Sequence, residues 1–389
     1  MAKHMLSGAA SIAGVGESEI GKVPGQSGIG LAAQAAKQAM DEAGLRRSDI
    51  DGLLTAYSMT EPYFMFGTVV AEYLGIQPSY LSSMVLGGAT PAALVNHAVQ
   101  AVATGVATNV LVVVGENRAT GQTRDEAVAA LSSVGHPYYE KIYGPLIPAF
   151  YGMIANRLMH ETGVTREMMA AVAVNGRYHA GLHPNAHMSQ PITIEDVLAS
   201  KPIATPLNIL DCCLISDAGG ALIITAADRA RDMPSQPVDI LGFGEFHTHE
   251  HIMAAPSLTE FGGKQSGAAA YKMAELSPQD IDFAELYDCF TPVPLIEMSE
   301  AGFGTPEEVG ELFLSKETNF NGKFPVNTHG GMLSHAHAGA AGGLFAIVEA
   351  ARQLRGDAAG RQVAKRERAF VHNEGGIMSS HCSLILGAG

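Results

Sequence analysis

The chain has 389 residues, 47% hydrophobic and 16% charged, enough for two ordinary domains or one large fused unit with a substantial core, and not the composition of a disordered chain. A net charge of −15 argues against a role that tracks nucleic-acid phosphates and against a stable hold on anionic membrane. The cysteines, Cys212, Cys213, Cys289 and Cys382, form no C-x-x-C pair, the pattern of a reduced compartment. No run of about 18 uninterrupted apolar residues occurs. The opening MAKHMLSGAASIAGVG reads as a first strand rather than a signal peptide. A cytoplasmic protein is expected.

Periodicity predicts a helix over GLAAQAAKQAMDEAG, 30–44. The glycine pair Gly87-Gly88 opens a second helix, 91–104, which closes on Thr104-Gly105 and feeds the buried strand VLVVVG, 110–115. Strand, tight glycine turn and helix is an arrangement that can present a nucleophile, yet the tip Gly87-Gly88-Ala89-Thr90 carries no cysteine, lysine or acid. The stretch from about 120 to 200 lacks strand pattern and is rich in Tyr, Pro, His and Met, as expected of a cap or loop domain over a site. Further strands are predicted at 221–226, 238–244, 369–376 and 382–387, with a helix at 343–356.

An internal repeat runs through this order. AKQAMDEAGLRRSDIDGLLTAY (36–57) and AAAYKMAELSPQDIDFAELYDCF (268–290) each give a helix, a turn, Asp-Ile-Asp and a strand. Each is followed by a glycine-rich turn, an alanine-rich helix and a strand, in 87–115 and in 330–376. Two βαβαβ halves from a duplicated unit are expected, α/β in class.

The motifs NILDCCLISDAGG (208–220), ELYDCF (285–290), NTHGGMLSHAHAGAAGG (327–343) and HNEGGIMSSH (372–381), in this order, resemble the thiolase superfamily over nearly the full length, on the lipid-transfer-protein branch near the sterol-carrier-protein thiolases. The resemblance implies a five-layered αβαβα fold, with an N-terminal half over 1–230 that carries the insertion of about 120–200, and a C-terminal half over 236–389. In thiolases the nucleophilic cysteine opens the helix that ends in Thr-Gly. Counted back from Gly105, that position is Gly88. The second cysteine of the family, in a C-x-G turn, falls on His372. The catalytic histidine is matched by His337, and the Asn or His before an acidic residue by Tyr287.

Without the nucleophile a covalent acyl-enzyme is lost. Tyr287 in YDCF then resembles the steroid side-chain aldolases of the superfamily. That likeness implies a retro-aldol lyase acting on a β-hydroxyacyl-CoA, with Tyr287 taking the hydroxyl proton and His337 with backbone N–H groups holding the enolate. His335 stands where those aldolases carry a tyrosine and is a candidate second acid or base. Gly88, Asp288, Gly331, His372 and Gly376 are expected around the substrate. The resemblance further implies a CoA thioester as substrate, no tightly bound cofactor, no metal, a homodimer, and a possible heterotetramer with a small zinc-ribbon/OB-fold protein. A steroid, terpenoid or aromatic acyl chain would each satisfy it. Two other readings stay open: a degenerate thiolase or acyltransferase using Ser82, Ser83 or Thr90, and a non-catalytic acyl-CoA or lipid-binding protein.

Other polar residues are read as follows. Cys289 is expected to pack away from the neighbours of Tyr287, and Cys212-Cys213 to fill core space. Asp211 and Asp217 serve turns and caps. On a strand, His247, His249 and His251 would share one face. The main cations of the insertion are Lys141, Arg157, Arg166 and Arg177, few for a CoA tail.

Overall fold

The computed structural model describes residues 4–132 and 134–389. Its strands are β1 (Ala10–Glu17), β2 (Gly52–Ala56), β3 (Tyr80–Met84), β4 (Asn109–Asn117), the short β5 (Pro202–Ala204) and β6 (Leu207–Asn208), β7 (Asp217–Ala226), β8 (Val238–His247), β9 (Phe283–Leu286), β10 (Arg368–Gly375) and β11 (Ser380–Ala388). The helices are α1 (Gly28–Ala43), α2 (Phe66–Leu74), α3 (Thr90–Ala103), α4 (Arg124–Ser132), α5 (Ile147–Glu161), α6 (Arg166–Ala180), α7 (Ile194–Ala199), α8 (Ala227–Ala230), α9 (Gly263–Ala274), α10 (Val293–Glu300), α11 (Pro306–Leu314), α12 (Gly331–Ser334) and α13 (Ala341–Arg355). No helix among the described residues is long and apolar enough to cross a membrane.

The main sheet runs β3-β2-β4-β7-β1-β8-β11-β10-β9. From the β1/β8 junction outward, both sides repeat one pattern. β1, β7 and β4 pair antiparallel in turn, then β4 pairs parallel with β2. On the other side β8, β11 and β10 pair antiparallel, then β10 pairs parallel with β9. The duplicated α/β architecture expected from the repeat is present.

The layers follow from the helix faces. α3 and α13 bury nearly every residue, α13 on all sides, as a helix must when sheet covers it above and below. Each touches strands of both halves of the sheet: α3 reaches β4, β7, β10 and β11, and α13 reaches β1, β7, β9 and β10. α1 lies outside on β1, β4 and β7, and α9 on β8 and β11. α1 starts on a Ser27 side chain that accepts from the Gly30 amide and stops at left-handed Gly44. Among the described residues between β4 and β7 the chain supplies α4–α7 and the β5–β6 pair but no strand of the main sheet, as the sequence led us to expect.

The outer helices sit close because glycines let them. A Cβ at Gly14 or Gly16 of β1 would run into the α1 carbonyls of Ala39 or Ala35. On β8, Gly242 and Gly244 stand in the same relation to the α9 carbonyls of Ala270 and Ser266. The two G-x-G stretches, GVG and GFG, are thus the same contact made twice. Replacing Gly14 or Gly242 by Val should each lower the unfolding free energy by about 1–3 kcal/mol through overpacking. Unchanged urea midpoints for both variants would refute the close approach.

Candidate active site

The site forms where the two halves touch. After β3 the chain turns through Leu86, Gly87 and Gly88 into α3. The Thr90 hydroxyl closes this turn, accepting from the Leu86 amide at 2.9 Å and donating to the Gly87 carbonyl at 2.7 Å. Gly87 has φ +56°, and a Cβ there would press on the Gly375-Gly376 turn that follows β10. Beside this contact opens a cavity of about 430 Å³. Its floor is Gly87, Gly88, Tyr287, His337, Glu374 and Gly376. Its walls are largely apolar, including Met59, Met84, Ile147, Ile203, Ile209 and Ile215.

Tyr287 decides what the floor can do. It follows β9, is 5% exposed, and its amide donates to Glu297 of α10 at 3.2 Å. Its ring occupies the space into which a side chain at 88 would project: a Cβ built on Gly88 falls inside the phenol. The phenol oxygen lies 3.2 Å from His337 Nε2. His337 Nδ1 lies 3.2 Å from the Leu214 carbonyl and 3.1 Å from Cys213 Sγ. A carbonyl only accepts, so Nδ1 carries the proton, Nε2 accepts, and Tyr287 donates. Burial, helped by the charge of Arg118, holds His337 down at about 4, so the imidazole is neutral. Burial, then the neighbours Cys289, Glu374 and Cys213, push the Tyr287 hydroxyl well above its ordinary value, with Arg118 opposing.

Three groups beside Tyr287 were not assigned from the sequence. Glu374 of β10 accepts from the Tyr151 hydroxyl at 2.6 Å and from Cys289 Sγ at 3.1 Å. Burial raises its carboxyl to about 7 despite these bonds. Placing the C-x-G match two residues later, on Glu374-Gly375-Gly376, would have found it. Cys289 shares the cavity with Tyr287 instead of facing away, because β9 ends at Leu286 and the strand alternation stops with it. Cys212 and Cys213 also line the cavity rather than filling core. Burial raises the Cys212 thiol to about 12 and lifts the Cys213 and Cys289 thiols too, which makes poor nucleophiles of all three.

The remaining candidates divide. Gly88, Gly376, Tyr287 and His337 meet in the cavity. His335 does not reach it. It is fully buried against the His183, His329 and Phe345 rings, with neither ring nitrogen hydrogen-bonded and Nε2 3.7 Å from a Glu17 oxygen. Glu17, His183 and His335 offer ligand atoms within 4.8 Å of one another. Arg352 already balances Glu17 at 2.8 Å, and the Asn185 amide donates to His183 Nδ1, which leaves a proton on Nε2. That is a packed neutral histidine pair rather than a metal cradle. His372 lies behind the cavity, between Ser383 at 2.9 Å and His381 at 3.0 Å. Asp288 accepts from the Met332 amide at 2.6 Å, and Gly331 is the residue whose missing Cβ admits it. Both therefore shape the loop that carries His337, outside the cavity lining. Asp217 gathers the amides of Val23, Ala119 and Thr120, the turn role expected of it. The histidines of EFHTHEH do not share a strand face, because β8 ends at His247. His249 bonds the Ile377 carbonyl and His251 meets His136 edge-on.

The steric exclusion between position 88 and Tyr287 is open to test. Gly88→Ala should destabilise the fold by about 1–3 kcal/mol, and Tyr287→Ala added to it should recover part of that loss. Strictly additive unfolding free energies in this double-mutant cycle would show that the two positions do not share space.

Residues 244–388 match the family model described as thiolase C-terminal domain-like. A 17-hydroxy-3-oxo-4-pregnene-20-carboxyl-CoA lyase of Mycobacterium tuberculosis is 36% identical, over 98% of this chain and 100% of its own length. A steroid side-chain-cleaving aldolase of Thermomonospora curvata is 35% identical, over 99% of each chain. Among solved structures, an Ltp2-ChsH2(DUF35) aldolase superposes with TM-score 0.86 at 34% identity, covering 98% of both chains. Human mitochondrial 3-ketoacyl-CoA thiolase, at 15% identity and TM-score 0.74, shares the fold. With these full-length relatives and the Tyr287–Gly88 floor, the chain belongs to the thiolase superfamily, on the branch that contains steroid side-chain-cleaving aldolases.

Proposed function

We propose that the protein is a carbon–carbon lyase that cleaves a β-hydroxyacyl-CoA by a retro-aldol route, releasing a ketone and a shorter acyl-CoA with no covalent acyl-enzyme. The observation that carries this reading is the Tyr287 phenol standing where a nucleophile would project, hydrogen-bonded to a neutral His337. Burial makes a free tyrosinate costly, so Tyr287 works as a relay. The substrate hydroxyl gives its proton to the Tyr287 oxygen as the Tyr287 proton moves to His337 Nε2. The Cα–Cβ bond breaks, the β-carbon leaves as the ketone, and the electron pair spreads over Cα and the thioester oxygen. Glu374, neutral below about 7, returns a proton to Cα. The extra proton on His337 then restores Glu374 through solvent, and the count closes.

The acyltransferase alternative lacks a nucleophile in reach. Thr90 is committed to its turn, and Ser82 and Ser83 lie on edge strand β3. The apolar walls suit a bulky hydrocarbon, and the named activities of the relatives favour a steroid side chain. For the CoA tail the chain offers little. Arg166 is spent on Asp211 and Arg177 on Ser334 and Gln190, while Arg157 pairs with Glu161. Binding of that tail by a small zinc-ribbon/OB-fold partner fits this shortage, as does the aldolase complex among the solved structures. Edge strand β3, with exposed Leu81 and Val85 beside Phe64 and Met65, is the face we assign to a homodimer. The same reading divides the chain into halves at about 230–236.

Tyr287→Phe should reduce ketone release from a β-hydroxyacyl-CoA carrying a tertiary alcohol by at least about 100-fold, while thioester binding persists. Turnover unaffected by this change would sink the relay. With His337 neutral above about 4 and Glu374 protonated below about 7, activity should fall as pH rises through about 7. Glu374→Gln should be slower and should lose that alkaline limb. A limb that persists in the variant would assign it to another group.

A further inference from the structure

Arg118 follows β4 directly, at the C-terminal end of a strand parallel to β2, and lines the cavity at 8% exposure. Its Nε is buried without a hydrogen-bond partner, and its guanidinium forms no ion pair among the described residues. The neighbouring Glu116 feels this charge but makes no hydrogen bond or ion pair with it, and burial raises the Glu116 carboxyl above its ordinary value. The Glu116 oxygens are taken by the Met59 amide at 2.6 Å and the Thr60 hydroxyl at 2.7 Å. Gly339, with φ +55°, packs beside the stems of both Glu116 and Arg118. Arg118 lines the same cavity as His337, Tyr287 and Cys213, and its charge acts on all three. A buried guanidinium left unpaired is costly, and an anion that arrives with the substrate or forms during the reaction relieves the cost.

Carbon–carbon cleavage creates such an anion, the enolate oxygen, and the first amides of α3 are committed to their own turn. The Ala89 and Thr90 amides at the start of α3 bond the Leu86 and Gly87 carbonyls at 3.2 and 3.3 Å. His337 Nε2 faces Tyr287 as an acceptor. We propose that Arg118 is a catalytic residue whose guanidinium binds the oxyanion that develops on the thioester carbonyl. A charged donor holds an anion far better than a neutral carbonyl, so the contact favours the transition state over the ground state. The inference deepens the retro-aldol reading and rests on it for the identity of the bond that breaks.

The test uses the full chain, with its partner protein if turnover requires one, and two readouts. In Arg118→Gln, kcat for ketone release should fall about 100- to 1000-fold with KM changed only a few-fold. Acetoacetyl-CoA bound at one fixed pH should show at least about tenfold less enolate absorbance than with the parent protein. Arg118→Lys, which keeps the charge but not the planar fork, should fall between the two. Thermal unfolding of unliganded Arg118→Gln should not be lowered, because the removed buried guanidinium has neither a hydrogen-bonded partner at Nε nor an ion pair among the described residues. A rise in KM alone, with kcat and enolate absorbance intact, would overturn the proposal and assign Arg118 to a fixed carboxylate or phosphate of the substrate. A lowered unfolding temperature with unchanged enolate absorbance would overturn it in favour of a structural role. Arg118-dependent enolate in a protein that cleaves no β-hydroxyacyl-CoA would support Arg118 and defeat the retro-aldol reading. Full cleavage in Arg118→Gln would defeat Arg118 alone.

Discussion

A side chain at position 88 and the phenol of Tyr287 compete for one volume, and the site is organised by that competition. The turn after β3 and the start of α3 place residue 88 at the bottom of the cavity, where a nucleophile would be effective. The end of β9 aims Tyr287 at the same point from the other half of the chain. Only a glycine at 88 lets the ring come down, and once down the ring finds His337 Nε2. Chemistry at this floor therefore comes in two exclusive versions. One uses a side chain on the α3 turn, the other a phenol arriving from across the junction. This chain is committed to the second, and restoring a cysteine at 88 would not by itself restore the first.

Burial then fixes the charge state of everything that touches the phenol. Tyr287, Cys213, Cys289 and Glu374 are pushed toward their protonated forms, while His337 is pushed toward its neutral one. The floor is thus a set of neutral donors and acceptors, suited to passing a proton and ill suited to making a strong nucleophile. Against that neutral background the charge of Arg118 is felt by several groups at once. The low-dielectric surroundings that silence the thiols also strengthen any contact between that charge and a developing anion. Thiol silence and oxyanion holding have one physical cause.

Much of this was legible in the sequence, for identifiable reasons. The duplication showed because helix, Asp-Ile-Asp and strand recur at matching places, and the sheet repeats its pairing order from the β1/β8 junction. Gly88 was located by counting back along an uninterrupted helix, where spacing is rigid. His372 was matched across a turn, where one or two residues of slippage cost nothing in pattern, and Glu374 is the residue that faces the cavity. His335 looked equivalent to His337 because both lie in HAHAG. The short α12 sends their rings to opposite sides of the loop, one into the histidine cluster and one into the cavity. The cysteines were read by strand alternation past the point where β9 ends. Arg118 gave no sequence signal, since its meaning is the absence of a partner in three dimensions.

The placement of the site follows from the meeting of the two halves. Each half ends a parallel strand and starts a glycine turn, so each offers one turn to the junction: Gly87-Gly88 from the first and Gly375-Gly376 from the second. Neither turn encloses anything alone. Brought together over α3 and α13, they leave no room for side chains at the contact, and the cavity opens beside it. The groups proposed to act in catalysis then come from both halves, Arg118 and the α3 turn from one, Tyr287, His337 and Glu374 from the other. A change in the angle between the halves would shift Tyr287 relative to Gly88 before it disturbed either core. The close Gly87–Gly376 approach is the constraint that holds that angle, which makes the glycines at the junction as necessary to the chemistry as the groups that carry protons.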